Sequence, residues 1–277
     1  MAGMLYLVPT PIGNLGDISQ RCRETLEAAD FIAAEDTRVS LKLLNHLNIK
    51  KPLVSYYEHN RAESGQRILE RLLAGETCAL VSDAGSPAIS DPGEDLVALC
   101  AQNGVTVSAI PGPCAVITAL SMSGLPTGRF TFEGFLSTNK KSRQEHLQSL
   151  AAEQRTMVFY EAPHKLTNTL NDLLAAFGPE RRISLCRELT KLHEEVIRTT
   201  LQGAVDYYRE QDPRGEYVLV LEGAAPPPVT ELTLEDALAL VADKLAQGLS
   251  RKDAVKLVSK ETGFAKNALY DAAMKQL

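Results

Sequence analysis

This chain of 277 residues predicts an α/β fold: a first domain on a parallel sheet, a second α/β domain on a mixed sheet, and a small all-α segment at the carboxyl end. Three observations carry that reading. Over roughly the first 120 residues, short apolar strand-like runs alternate with helical stripes of ten or more residues, which is how right-handed crossovers onto a parallel sheet look in sequence. From residue 123 the series becomes richer in β-type residues and less regular. From residue 231 only helical periodicity remains.

Taken in order, "LYLVP" (5–9) reads as a buried strand. Asp17 with Gln20 supplies an N-cap and capping box before the i, i+4, i+8 stripe of Ile18, Cys22 and Leu26. "FIAAE" (31–35) is a strand and "RVSLKLLNHL" (38–47) a helix. "RAESGQRILERLLAG" (61–75) is a helix ended by Gly75, and "TCALVS" (77–82) the strand after it. "GEDLVALCAQNG" (93–104) and "VTVSAI" (105–110) repeat the alternation. "SGLPTG" (123–128) reads as a hinge, which sets the first domain at 1–122.

The second domain, 123–223, contains "RFTFEGF" (129–135), a polar helix from Lys141 to Gln154, "TMVFYE" (156–161) and a helix from His164 to Phe177. Three more strand-like runs follow: "RISLCRE" (182–188), "EEVIRTTL" (194–201) and "EYVLVLEG" (216–223). A proline-rich linker spans 224–230. In the helical segment 231–277, Ser250 and Thr262 are candidate caps around Gly263, a spacing that suits helix-turn-helix and equally a plain helical hairpin.

Composition excludes several classes. With 44% hydrophobic and 23% charged residues the chain is an ordinary globular protein. No run of 18 apolar residues is present, and Met1–Gly3 leads straight into a strand, so neither a membrane span nor a secretory signal is expected. Five dispersed cysteines fit reduced thiols in a cytoplasmic protein, and no CxxC pair suggests a metal. A net charge of −6 excludes a generally basic coat for nucleic acid. The distribution is uneven, however: residues 242–277 carry seven Lys/Arg against four Asp/Glu. A local basic face is therefore available to a polyanion.

The chemistry is concentrated in loops. "PTPIGNLGD" (9–17), "SDAGSPAISDPG" (82–93) and "PGPCAV" (111–116) each follow a strand of the first half. In a parallel sheet these loops converge at the carboxyl edge, where ligands bind. Glycine permits close backbone approach and proline fixes loop shape, so together they make a preformed pocket lined largely by main chain. Neither GxGxxG nor GxxxxGK[ST] is present, nor a GxSxG elbow, and "HEEVI" (193–197) lacks the second histidine of a zinc helix. From the residues alone the ligand is a small polar molecule.

"VPTPIGNLGD", "EDTR" (35–38), "SDAGSPAISDPG", "IPGPCA", "FYEAPHKL" (159–166), "CRELTKLHEE" (186–195) and "GEYVLVLEG" (215–223) together resemble the tetrapyrrole methylase superfamily. Within it they are most similar to the branch that modifies small-subunit ribosomal RNA. The resemblance implies S-adenosylmethionine as methyl donor in a cleft between two α/β domains, no metal, a homodimer, and the rRNA of the small ribosomal subunit as partner. The implied reaction is 2′-O-methylation of a cytidine ribose.

Carried over residue by residue, the resemblance places Asp83 at the aspartate of the superfamily's Gly-Asp-Pro loop. Ser82 stands for the glycine, and Ala84-Gly85-Ser86 intervene before Pro87. Donor contacts are then expected from Pro11, Asp83, Ser86, Ala88 and Ile89. Gly112, Pro113, Cys114 and Ala115 would add others, with Cys114-Ala115 replacing two small hydroxyl residues. Phe159 and Tyr160 would form the opposite wall. Glu35, Asp36 and Glu161 are candidates for the proton acceptor, although Asp36 could equally pair with Arg38 or cap the next helix. Arg38, His164, Lys165, Arg187 and Lys191, with Lys252 and Lys256 of the tail, are candidate RNA contacts. His164 could instead cap its helix, and the cations could form plain surface salt bridges. Two other functions remain open: methylation of a small tetrapyrrole-like substrate, and a non-enzymatic RNA-binding role in ribosome assembly.

Overall fold

The computed structural model describes residues 3–226 and 232–276, so part of the expected linker lies outside the described residues. The chain divides into two compact units, residues 1–224 and 225–277.

The first unit contains two five-stranded sheets. In the first, β1 (Met4–Leu7), β2 (Phe31–Ala34), β3 (Leu53–Ser55), β4 (Cys78–Val81) and β5 (Thr106–Ala109) lie in the order β3-β2-β4-β1-β5. All four pairings are parallel. β2 and β4 are buried throughout, as expected of strands covered on both faces. The chain leaves β1 towards β2 and leaves β4 towards β5, in opposite directions. A crevice therefore opens between β1 and β4 at the carboxyl edge, the switch point where ligands of such sheets bind.

The second sheet is mixed: β6 (Phe130–Phe135), β7 (Thr156–Glu161), β10 (Tyr217–Leu221), β8 (Arg182–Arg187) and β9 (Glu195–Thr200), in that order. Only β6 and β7 pair in parallel. The first helix after the "PGPC" loop, α5 (Ala115–Met122), lies against this sheet. Val116, Ala119 and Leu120 pack with Val158, Cys186, Val218 and Val220 into one core. Cohesion of the two sheets thus rests on a helix whose short, almost wholly apolar run shows no periodicity in sequence.

Several expectations need correction. Ser19, not Asp17, caps the first helix α1 (Gln20–Ala28), accepting from Cys22 N at 3.1 Å. Asp17 closes a short 3₁₀ turn instead. β3 is not legible in the sequence because three residues are too few to show alternation. Residues Leu201–Glu210 form a helix, α8, which the strand-like "RTTL" conceals; Thr200 caps it. The polar helix α6 runs over Lys140–Ser149 and stops short of Gln154. Two hydrogen bonds hold the 123–128 segment: Ser184 Oγ donates to Ser123 O at 2.6 Å and Thr156 Oγ1 to Pro126 O at 2.6 Å.

The second unit has three helices among its described residues, α9 (Leu234–Ala246), α10 (Arg251–Thr262) and α11 (Lys266–Gln276). Their small core includes Leu238, Val241, Val255, Val258 and Leu269. Ser250 caps α10 as expected, accepting from Asp253 N at 3.2 Å. Thr262 is the last residue of α10; its hydroxyl donates back to Val258 O at 2.7 Å and accepts from Phe264 N at 3.5 Å, ahead of α11. Gly263, at φ +77°, supplies the left-handed stop.

Candidate active site

A cleft of about 580 Å³ opens at the switch point, between the loops of the first sheet and the near face of the second. Its floor is built by the loop after β4. Thr10 N donates to Gly85 O at 2.9 Å, Gly85 N to Thr10 O at 3.0 Å, and Thr10 Oγ1 to Ser82 O at 3.1 Å. These bonds weld the β1 and β4 loops across the crevice. Ser86 Oγ donates to Pro113 O at 3.1 Å and brings in the third loop. Within 82–93, Gly85, Ala88, Ser90 and Gly93 all have positive φ, two of them with side chains. Such backbone persists only where its surroundings hold it, and it concentrates at functional sites.

Three carboxylates face the cleft from this side: Glu35, Asp83 and Asp91. Burial, then the charge of Asp83, pushes Glu35 above the ordinary range. Burial does the same to Asp83. Asp91 rises furthest, to about 6, through burial first and the charge of Glu35 second. The opposite wall comes from the second sheet. Tyr160 lines it with Leu189 and Val218, and burial pushes the Tyr160 phenol up to about 12. Phe132 and Phe135 flank Tyr160 at ring-centroid distances of 5.0 and 5.4 Å.

Residues 4–205 of this architecture match the family model described as Tetrapyrrole (Corrin/Porphyrin) Methylases. The chain belongs to the tetrapyrrole methylase family. Residues 231–277 match a second model, the RsmI C-terminal HTH domain. Among relatives, the ribosomal RNA small subunit methyltransferase I of Synechocystis sp. is 50% identical over 276 residues, covering 99% of this chain and 98% of that protein. Its namesake from Halalkalibacterium halodurans is 47% identical over 97% of this chain and 94% of its own. Two solved methylases share the fold. Uroporphyrin-III C-methyl transferase from Thermus thermophilus, complexed with S-adenyl homocysteine, superposes with a TM-score of 0.56 at 19% identity. That match covers 79% of this chain and 97% of that one. The cobalt precorrin-4 methyltransferase of cobalamin biosynthesis gives 0.60 at 19%, covering 79% and 94%.

Within the methylase cleft, several expected residues come together: Glu35, Asp83, Ser86, Ile89, Cys114, Ala115, Tyr160, Glu161 and His164 all border it. Others do not. Gly112 and Pro113 line a neighbouring depression of about 410 Å³ with Thr118 and Thr190. Ala88 faces a third hollow beside Pro9 and Val97. Pro11 borders none of these three. Phe159 points away: alternation along β7 sends its ring into the far core with Leu166 and Leu185, so only its main chain is available to the near face.

The charged candidates are mostly engaged. Asp36 caps α2 (Thr37–His46) and also pairs with Arg38 at 2.6 Å. The Arg38 side chain and its backbone N–H hold the Asp36 carboxyl at about 2. Both alternatives raised for this residue therefore hold at once. Glu161 is 5% exposed and accepts from Thr169 Oγ1 at 2.5 Å and Ala162 N at 2.8 Å. Lys191 Nζ sits 2.9 Å from Glu188 and 2.7 Å from Glu216. Arg187 pairs with Glu195 at 3.2 Å. His164 does not cap: Ala162 is the N-cap of α7 (Pro163–Phe177), and His164 lies exposed in the first turn beside Lys165. Lys252 and Lys256 are exposed on α10.

Sequence reasoning passed over Asp91, Ile12, Phe135 and the β10 entrance at Glu216–Val218, all of which border the cleft. Asp91 carried a visible signal, a second aspartate inside the same Pro/Gly loop. Among the described residues no helix is long and apolar enough to cross a membrane.

Proposed function

We propose that this methylase transfers a methyl group from S-adenosylmethionine to the 2′-hydroxyl of a cytidine ribose in small-subunit ribosomal RNA, on the assembled subunit and as a homodimer in the cytoplasm. The observation that carries the reading is the carboxylate-lined cleft at the switch point, in a chain half identical to a ribosomal RNA small subunit methyltransferase I over its whole length.

The cleft suits the donor chemically. Its volume lies in the range of small-molecule sites. The donor carries a sulfonium and an α-ammonium, and Glu35, Asp83 and Asp91 offer negative charge with no lysine or arginine among the described residues of the lining. Ile12, Tyr160, Leu189 and Val218 offer apolar surface for its adenosine. Asp83, Ser86, Cys114 and Ala115 would hold it from one side and Tyr160 from the other. When bound, the donor supplies an electrophilic methyl on a positive sulfur.

What remains for the protein is alignment, exclusion of water and removal of one proton. The acceptor should be a carboxylate whose pKa is raised towards the working pH. Asp36 is fixed by Arg38 at the opposite extreme, and Glu161 is consumed by Thr169 and Ala162. Glu35 and Asp91 meet the requirement. The engaged pairs of Lys191 and Arg187 leave phosphate contact chiefly to the exposed lysines of α10.

Small ribosomal subunits lacking the modification, incubated with tritium-labelled S-adenosylmethionine, should acquire label in the ribose of one cytidine. Label appearing only in a tetrapyrrole would overturn the substrate, and tight subunit binding without transfer would overturn the activity. Sedimentation at working concentration should give twice the chain mass.

A further inference from the structure

At the mouth of the cleft, each wall holds out one large apolar side chain that the fold does not need. On the second sheet it is Phe135, 56% exposed and bordering the cleft. A β-bulge puts it there. Pairing of β6 with β7 runs Phe132↔Val158, then Gly134↔Phe159 and Phe135↔Tyr160, so Glu133 is the extra residue. Simple alternation would have put Phe135 on the face opposite Phe132. The bulge rephases the strand, and Gly134 takes the required left-handed φ of +63°. Both phenylalanines then share the face of Tyr160, with Phe135 tilted 58° against its ring.

On the first-domain wall the counterpart is Ile89, expected from the resemblance as a donor contact but 50% exposed at the border of the cleft. It stands between Ala88 and Ser90, at φ +67° and +61°. Two departures of this kind, one on either side, are costly for residues that bear side chains, and they hold Ile89 outward. The walls meet at this point: a Cβ built on Gly134 would lie 3.5 Å from Ser90 Oγ. An exposed aromatic face and an exposed aliphatic side chain thus flank one opening, the first presented by a glycine-bearing bulge and the second by strained backbone.

We propose that Phe135 and Ile89 form a clamp for the nucleobase of the target nucleotide, a planar pyrimidine unstacked from its RNA neighbours. The inference rests on the RNA reading above. A base drawn out of a helix or loop loses its stacking partners, and proteins replace them with aromatic faces. The carboxylates and main chain of the 82–93 loop suit the donor, whereas the two exposed apolar side chains suit a ring arriving from solvent. With the base held at the rim, its ribose would face Asp91 and Glu35 below.

The test uses the full chain with S-adenosylhomocysteine present, so that no turnover occurs, and unmethylated small ribosomal subunits as probe. Phe135→Ala should weaken subunit binding roughly 5- to 150-fold, the span of base–aromatic stacking at about 1–3 kcal/mol. Its affinity for S-adenosylhomocysteine, by calorimetry, should stay that of the parent, and Phe135→Tyr should restore subunit binding. Ile89→Ser should act in the same direction as Phe135→Ala. A parallel loss of S-adenosylhomocysteine affinity would overturn the proposal by assigning the ring to the donor's adenine, and unchanged subunit binding would overturn it outright. A parent protein that takes up the donor product but binds no subunits would instead refute the RNA reading itself, and the clamp with it.

Discussion

The backbone N–H of Asp36 donates to Oδ1 of Asp83 at 3.1 Å, tying the loop after β2 to the loop after β4. Asp83 therefore offers two separable properties, a structural acceptor and a negative charge on the cleft proposed for the donor. Asp83→Ala removes both and should weaken S-adenosylmethionine binding about 10- to 100-fold, the scale of one charged hydrogen bond. Asp83→Asn keeps an acceptor for Asp36 and removes only the charge. Calorimetry of the two variants separates the contributions; equal affinity in Asp83→Ala and the parent would take Asp83 out of the donor site.

Asp91 should report through pH. As a carboxylate raised to about 6 by burial and by Glu35, it can accept a proton only above that value, so turnover should fall as pH drops through 6. Asp91→Asn should cost turnover roughly 10²–10⁴-fold. The stability effect has the opposite sign. A folded pKa above the ordinary value of 3.8 means that the folded state binds the proton more tightly, and stability is lost as pH rises from about 4 through about 6. The asparagine variant should accordingly melt higher than the parent above pH 6, with the gap closing below pH 4.

Glu161 separates architecture from catalysis. Its carboxylate satisfies Thr169 and the Ala162 N–H at the start of α7. Glu161→Ala should cost about 1–3 kcal/mol of stability by stranding the buried Thr169 hydroxyl. Glu161→Gln keeps one acceptor oxygen for the Ala162 N–H, its amide N–H can instead donate to the Thr169 hydroxyl, and it should keep most stability and activity. A folded glutamine variant with turnover reduced a thousandfold would return Glu161 to the candidate proton acceptors.

The RNA interface should show in salt dependence. Each lysine that neutralises a phosphate contributes roughly 0.7 to the slope of log affinity against log salt. Replacing Lys252 and Lys256 with glutamine should flatten the slope for small subunits by about 0.7 for each of the two that meets a phosphate. Lys191→Gln should leave the slope unchanged, because its ammonium is already neutralised by Glu188 and Glu216.

The sheet order, the bulge at Glu133 and the fate of each charge show where reading a sequence stops. The alternation of strands and helices and the three Pro/Gly loops were legible because periodicity and turn chemistry are local, whereas Asp83 is singled out by the family resemblance. Which aspartate has a raised pKa was not legible. Asp36 and Asp91 look alike in sequence, yet one stands at about 2 beside a guanidinium and the other at about 6, half-buried near the charge of Glu35. Glu161 reads as a candidate proton acceptor and Lys191 as a candidate RNA contact, and the structure gives each a partner, Thr169 from the next helix and Glu216 beside β10. Phe159 and Phe135 exchanged roles for a similar reason. Strand phase sends one ring into the core, and a single extra residue turns the other to the cleft.

By itself the sequence determined most of the elements, the class of fold and the loops that carry chemistry, since short-range sterics and hydrophobic period dictate those. Only the tertiary structure decided which side chains are free to act. Charge, burial and hydrogen bonding at a site are set by residues distant in the chain, and no local pattern encodes who those neighbours will be.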